Sequence, residues 1–77
     1  MKEYKIEIAS PIDRNNLVAE IWFGDEMIAE INQEGEFLEL EIYSSESKLS
    51  VNYQGFVDSL IQGKRQLKTF KNPNKSK

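Results

Sequence analysis

Seventy-seven residues make one domain and no more. An apolar share of 39% and a charged share of 30% belong to an ordinary globular chain, and there is no apolar run of about 18 residues that could cross a membrane as a helix. Cysteine and histidine are both absent, which removes the usual zinc ligands and the usual nucleophile–base pairs; Ser–Lys or two-carboxylate chemistry stays open in principle. A secreted domain this small would normally carry disulfides, so a cytoplasmic location is expected. Met1-Lys2-Glu3-Tyr4 runs straight into an alternating pattern and does not read as a signal peptide.

Charge is segregated along the chain. Residues 1–62 carry all 13 acids against four bases, a net of −9, while residues 63–77 carry six bases and no acid. The basic end suits a helix C-terminus, where cations oppose the dipole, followed by a solvated tail over 71–77 that is expected to be disordered. A nucleic-acid contact there is disfavoured, because the acidic body would repel phosphate.

In chain order, Tyr4, Ile6 and Ile8 alternate with Lys5, Glu7 and Ala9, a half-buried strand. Ser10-Pro11-Ile12-Asp13 reads as a short capped helical turn ended by Asn15-Asn16. Three strands follow. Leu17, Ala19, Ile21 and Phe23 share one face, with Val18, Glu20 and Trp22 on the other. After a turn at 24–26, Met27, Ala29 and Ile31 stand opposite Ile28, Glu30 and Asn32. After a second turn at Glu34-Gly35, where glycine is expected to supply a positive φ, Leu38, Leu40 and Ile42 stand opposite Phe37, Glu39, Glu41 and Tyr43. Residues 44–50 form a polar loop, and 48–51 could add a short extended piece. Asn52 caps a predicted helix from about Tyr53 to about Lys68. Its apolar stripe is Tyr53, Phe56, Leu60, Gly63 and Leu67, widened by Val57 and Ile61. Gly63 would let the helix approach the sheet closely.

The expected architecture is therefore α+β: an antiparallel β-meander of about four strands, with one C-terminal amphipathic helix packed on one face. The domain occupies residues 1–70. Burying the apolar alternation pairs Phe23 with Met27 and Ile31 with Leu38. That register sets Glu20 opposite Glu30 and Glu30 opposite Glu39, and places Trp22 beside Ile28 and Asn32 by Phe37. Like charges directly opposite are destabilising, and no cation is placed by the pattern to neutralise them. Replacing Glu20, Glu30 and Glu39 with Gln is thus expected to raise the melting temperature. One helix covers one face, so the other is expected to be open.

That open face carries the candidate partner-binding residues Glu7, Glu20, Trp22, Glu30, Phe37, Glu39, Glu41 and Tyr43. Aromatics flanked by charge are typical of interfaces; the alternative is a solvated strand face whose glutamates maintain solubility. A flat face does not wrap a metal ion and the chain has no EF-hand loop, so no metal and no cofactor are expected. Carboxylate catalysis needs a cleft that raises one pKa, and no catalytic residue is assigned.

A small acidic chain without catalytic apparatus suggests an inhibitor of a basic protein. The segments Tyr4-Lys5-Ile6-Glu7-Ile8-Ala9-Ser10-Pro11, Leu17-Val18-Ala19-Glu20-Ile21-Trp22-Phe23 and Tyr53-Gln54-Gly55-Phe56-Val57, with the size, layout and charge, resemble the small bacterial immunity proteins of contact-dependent growth inhibition and other polymorphic toxin systems. The resemblance implies a cytoplasmic antitoxin, not an enzyme, that forms a 1:1 complex with a cognate toxin C-terminal domain, often a basic nuclease. It implies no direct contact with nucleic acid or membrane. The alternative class is a structural or regulatory interaction module that forms homo-oligomers or docks on a larger complex, with the basic end of one copy meeting the acidic face of another.

Overall fold

The structure, a computed structural model, describes residues 3–43 and 48–69. The predicted basic tail at 71–77 and most of the polar loop after Tyr43 lie outside these residues.

Four strands form one antiparallel sheet: β1 (Tyr4–Ala9), β2 (Val18–Phe23), β3 (Glu26–Asn32) and β4 (Glu39–Ile42), in the spatial order β1-β2-β3-β4. A single helix, α1 (Tyr53–Thr69), closes the described chain. This is the expected α+β meander, and strand one pairs with strand two. Asn52 caps α1 as its residue type predicts: its Oδ1 accepts from the Gly55 N–H at 2.6 Å, and its carbonyl accepts the first helical bond, from the Phe56 N–H at 2.9 Å. The 48–51 stretch forms no strand, although Leu49 and Val51 pack against the core.

The core lies between α1 and the inner sheet face. Ala19, Ile21, Ala29, Ile31 and Leu67 are buried there, with Tyr4, Ile6, Phe23, Phe56 and Leu60 packed around them. Tyr4 stands directly opposite Phe23, with ring centroids 4.8 Å apart. Gly63 lets α1 sit close to β2 and β3: a Cβ there would lie 3.2 Å from both Ile21 Cδ1 and Ile31 Cδ1. The buried stripe is narrower than predicted. Tyr53 and Ile61 are exposed, and Ser59 is buried instead, its hydroxyl donating to the Phe56 carbonyl at 2.7 Å.

Both hairpins differ from the expected registers. The first has a two-residue turn: Phe23 pairs with Glu26, and Gly24 takes the positive φ of 69° at the first central position, as a type II′ turn requires. A bulge follows, with Ile28 as the extra residue, so Trp22 lies opposite Met27 rather than beside Ile28. Beyond it, Glu20 opposes Glu30 as expected. In the second hairpin Ile31 pairs with Leu40, not Leu38, and Asn32 with Glu39. The connection spans residues 33–38, and Gly35 has no positive φ. The reason is local. Asn32 Oδ1 accepts from the Glu34 N–H at 3.3 Å, starting an Asx-type turn, and the Glu34 carboxylate is taken up by backbone amides of the β1–β2 connection. A two-residue slip keeps every side chain on its face, so alternation could not detect it.

Candidate functional site

The face turned away from α1 is not open. Val18, Glu30 and Asn32, all expected on it, are buried, and Ile28, also expected on it, joins the buried core cluster instead. Residues 10–17 fold back across it. Their only turn is a hydrogen-bonded one at 11–14, with the Arg14 N–H donating to the Pro11 carbonyl at 3.2 Å, in place of the predicted helical turn. The connection is fastened at several points. Asn15 and Asn16 N–H groups donate to the Glu34 carboxylate at 3.0 and 2.9 Å, Asn16 Nδ2 donates to the Gln33 carbonyl, and Gln33 Nε2 donates to the Leu17 carbonyl at 3.0 Å. These amide donors hold the Glu34 carboxyl below its ordinary value, those of Asn15 foremost.

The acidic row runs through all four strands. Glu7 opposes Glu20, Glu20 opposes Glu30, and Glu30 opposes Glu41. Glu41 thus takes the place that alternation had given to Glu39, because of the two-residue slip. Each carboxylate in the row has a donor. Lys5 Nζ lies 3.1 Å from Glu7, and Trp22 Nε1 donates to Glu20 at 3.1 Å. Arg14 serves the inner two: Nε to Glu30 Oε2 at 2.9 Å and Nη2 to Glu41 Oε1 at 3.0 Å. The Tyr43 hydroxyl lies 2.9 Å from both Glu30 Oε1 and Glu41 Oε1, sharing one proton between them. The expectation that no cation neutralises the row is therefore corrected. Arg14 is far away in sequence, and only the fold of residues 10–17 delivers it.

The electrostatics follow from this geometry. The Tyr43 hydroxyl, then Arg14, hold the Glu41 carboxyl below its ordinary value. Desolvation first, and then the adjacent Glu41 and Glu30, push the Tyr43 phenol well above its own. Hydrogen bonding to Glu41 raises the Arg14 guanidinium despite partial desolvation. Asn32 is wholly buried beside this cluster, and its Nδ2 finds no acceptor among the described residues.

The eight predicted binding residues therefore divide. Glu30 is 7% exposed and its oxygens are occupied, so it cannot meet a partner. Trp22 is half-buried and tied to Glu20 rather than standing free. Glu20, Glu41 and Tyr43 are half-buried in the same row, while Glu7 remains exposed on β1. Phe37 and Glu39 belong elsewhere: both are exposed, Phe37 at 75%, at the start of the free edge of the sheet. No group of three or more acids among the described residues could hold a metal ion.

That free edge holds a feature that alternation assigned to the core. Leu38, Leu40 and Ile42 lie on the inner face but are 41%, 43% and 61% exposed. α1 lies over β1 and β2, touches β3 lightly and leaves β4 uncovered. A helix is about 10 Å across and strands lie about 4.8 Å apart, so one helix shields about two strands. The number of strands one helix can shield was legible in the sequence; which of them α1 leaves bare was not. Between β4 and α1 runs a groove of about 170 Å³ lined by Ile31, Leu38, Glu39, Leu40, Leu60 and Lys64.

No helix among the described residues is long and apolar enough to cross a membrane. No family model matches the sequence, and neither curated proteins nor solved structures return a match.

Proposed function

We propose that this protein is a binding inhibitor: a cytoplasmic, non-enzymatic antitoxin of the immunity-protein kind that neutralises a basic toxin domain, a nuclease being the expected target. The observation that carries the reading is the apolar strip Leu38, Leu40 and Ile42, left uncovered on an edge strand of a strongly acidic body. Contiguous exposed apolar side chains on a small domain mark a contact surface. The acids around it, Glu36 and Glu39 with Phe37 between them, favour a cationic partner and fast, salt-sensitive association. Compared with the acidic row, the binding surface moves to β4 and its approach, because Arg14 and Tyr43 already occupy the inner carboxylates.

The test is a parallel pull-down from the source organism with the wild-type protein and a Leu40→Lys/Ile42→Lys variant as baits. Each captured protein is then expressed alone and together with the bait. A basic protein that is released by salt, lost by the variant, and toxic only when expressed alone supports the reading. Capture unaffected by the two substitutions, or a captured protein whose toxicity persists on co-expression, contradicts it.

A further inference from the structure

We propose that β4 receives an extended segment of the partner as a fifth, antiparallel strand, with apolar and cationic side chains alternating along it. This rests on the β4 flank being the binding surface and specifies how that surface binds.

The backbone supplies the first argument. The Tyr43 N–H donates to the Ile28 carbonyl at 2.8 Å, and the β3–β4 pairing continues in step through Glu41 and Glu39. In an antiparallel ladder, main-chain groups point alternately to one neighbour and the other. Tyr43, Glu41 and Glu39 therefore aim theirs at β3, and Leu40 and Ile42 aim theirs at the free edge. An edge of this kind is a template for strand addition.

Side chains supply the second. The residues with outward backbone groups carry the exposed apolar side chains, and the groove against Leu60 and Lys64 lies beside them. An added strand would seat every second side chain in that groove. Its intervening side chains would lie on the opposite face, alongside Glu39 and Glu41, where Lys or Arg is complementary. Glu41 is shared with Arg14, so Glu39, exposed, is the principal determinant.

Charge also argues against a second copy as the occupant. Antiparallel β4–β4 pairing with the apolar residues matched sets Glu39 of each chain opposite Glu41 of the other, and like charges directly opposite repel. The edge thus selects against itself and for a cationic strand.

The experiment uses the full-length, ¹⁵N-labelled protein and four blocked peptides. One alternates Val with Lys over nine residues, one has Glu for Lys, one is N-methylated at the valines and one at the lysines. In antiparallel addition, residues opposite Leu40 and Ile42 exchange both hydrogen bonds with them, so the valine amides face β4. The expected result is that the Val–Lys peptide shifts the amides of 38–42 and slows exchange at Leu40 and Ile42. The Val–Glu peptide should bind about tenfold more weakly, because two attractive cross-strand charge pairs become repulsive. Methylation of the valines should abolish binding and methylation of the lysines should not. Glu39→Lys should narrow or reverse the preference between the two charged peptides.

Failures separate cleanly. Shifts scattered over Glu3, Glu7 and Glu36, indifferent to methylation, would overturn strand addition while leaving an acidic surface for a basic partner. Equal binding of the Val–Glu peptide at β4 would overturn the cationic partner while leaving strand addition. Loss on lysine methylation instead would overturn the antiparallel arrangement. The absence of any shift at millimolar peptide, or a β4-paired dimer in sedimentation equilibrium, would overturn the proposal.

Discussion

Arg14 Nε donates to Glu30 Oε2 at 2.9 Å, linking residues 16 positions apart in sequence. With the Arg14 bond to Glu41, this contact brings one cation to the two inner carboxylates of the row and pins the β1–β2 connection across the sheet. It converts the row that suggested a binding surface into a structural element.

Removing Arg14 should therefore destabilise the fold. Arg14→Met leaves the buried Glu30 carboxylate without its cation, and a buried charge without a partner is destabilising. Urea denaturation should show the loss, and Arg14→Met/Glu30→Met should recover much of it. A single variant as stable as wild type would show that the pair contributes nothing net.

Glu30→Gln should lower stability by about 1–3 kcal/mol, since Arg14 and Tyr43 both lose a charged acceptor. Glu7→Gln, on the exposed β1, should stay within about 0.5 kcal/mol. The sequence-based expectation that Gln throughout the row raises the melting temperature is reversed at Glu30, because relief of repulsion is outweighed by loss of pairing. A higher melting temperature for Glu30→Gln would reinstate it.

Stability should fall in acid. Glu34 and Glu41 have carboxyls held below the ordinary value of 4.5. As pH drops below that value the unfolded chain takes up protons before the folded one, so the stability present above it is lost on going through the depressed folded values. Melting temperature followed from neutral pH downward should decline below about pH 4.5, and the decline should be shallower in Glu34→Gln. A flat profile in the wild type would contradict the network.

Gly63→Leu should cost about 1–3 kcal/mol through overpacking, because Ile21 and Ile31 already stand 3.2 Å from where a Cβ would lie. Gly63→Ala sets a helix-propensity gain of about 1 kcal/mol against that tight contact, and the two should nearly cancel. Thermal melts of both variants check this; a Leu variant as stable as wild type would mean α1 can lift away freely.

Side-chain alternation and helical spacing by themselves determined the four strands, the helix and most of the inner core of this protein. Ala19, Ile21, Ala29 and Ile31 fall on one sheet face at period two, and Phe56, Leu60, Gly63 and Leu67 on one helix face at period three to four. Burying apolar surface leaves little choice in either assignment. What only the tertiary structure decided are features to which period-two patterning is blind. The β3–β4 slip moves by two residues, which preserves faces while replacing Glu39 by Glu41 in the row. The β1–β2 connection had no apolar period to betray its path, yet its amides satisfy Glu34 and its Arg14 satisfies Glu30 and Glu41. The exposure of Leu38, Leu40 and Ile42 follows from where one narrow helix comes to rest on four strands. Each of these depends on long-range polar satisfaction or on shape, which are properties of the assembled chain rather than of any window within it.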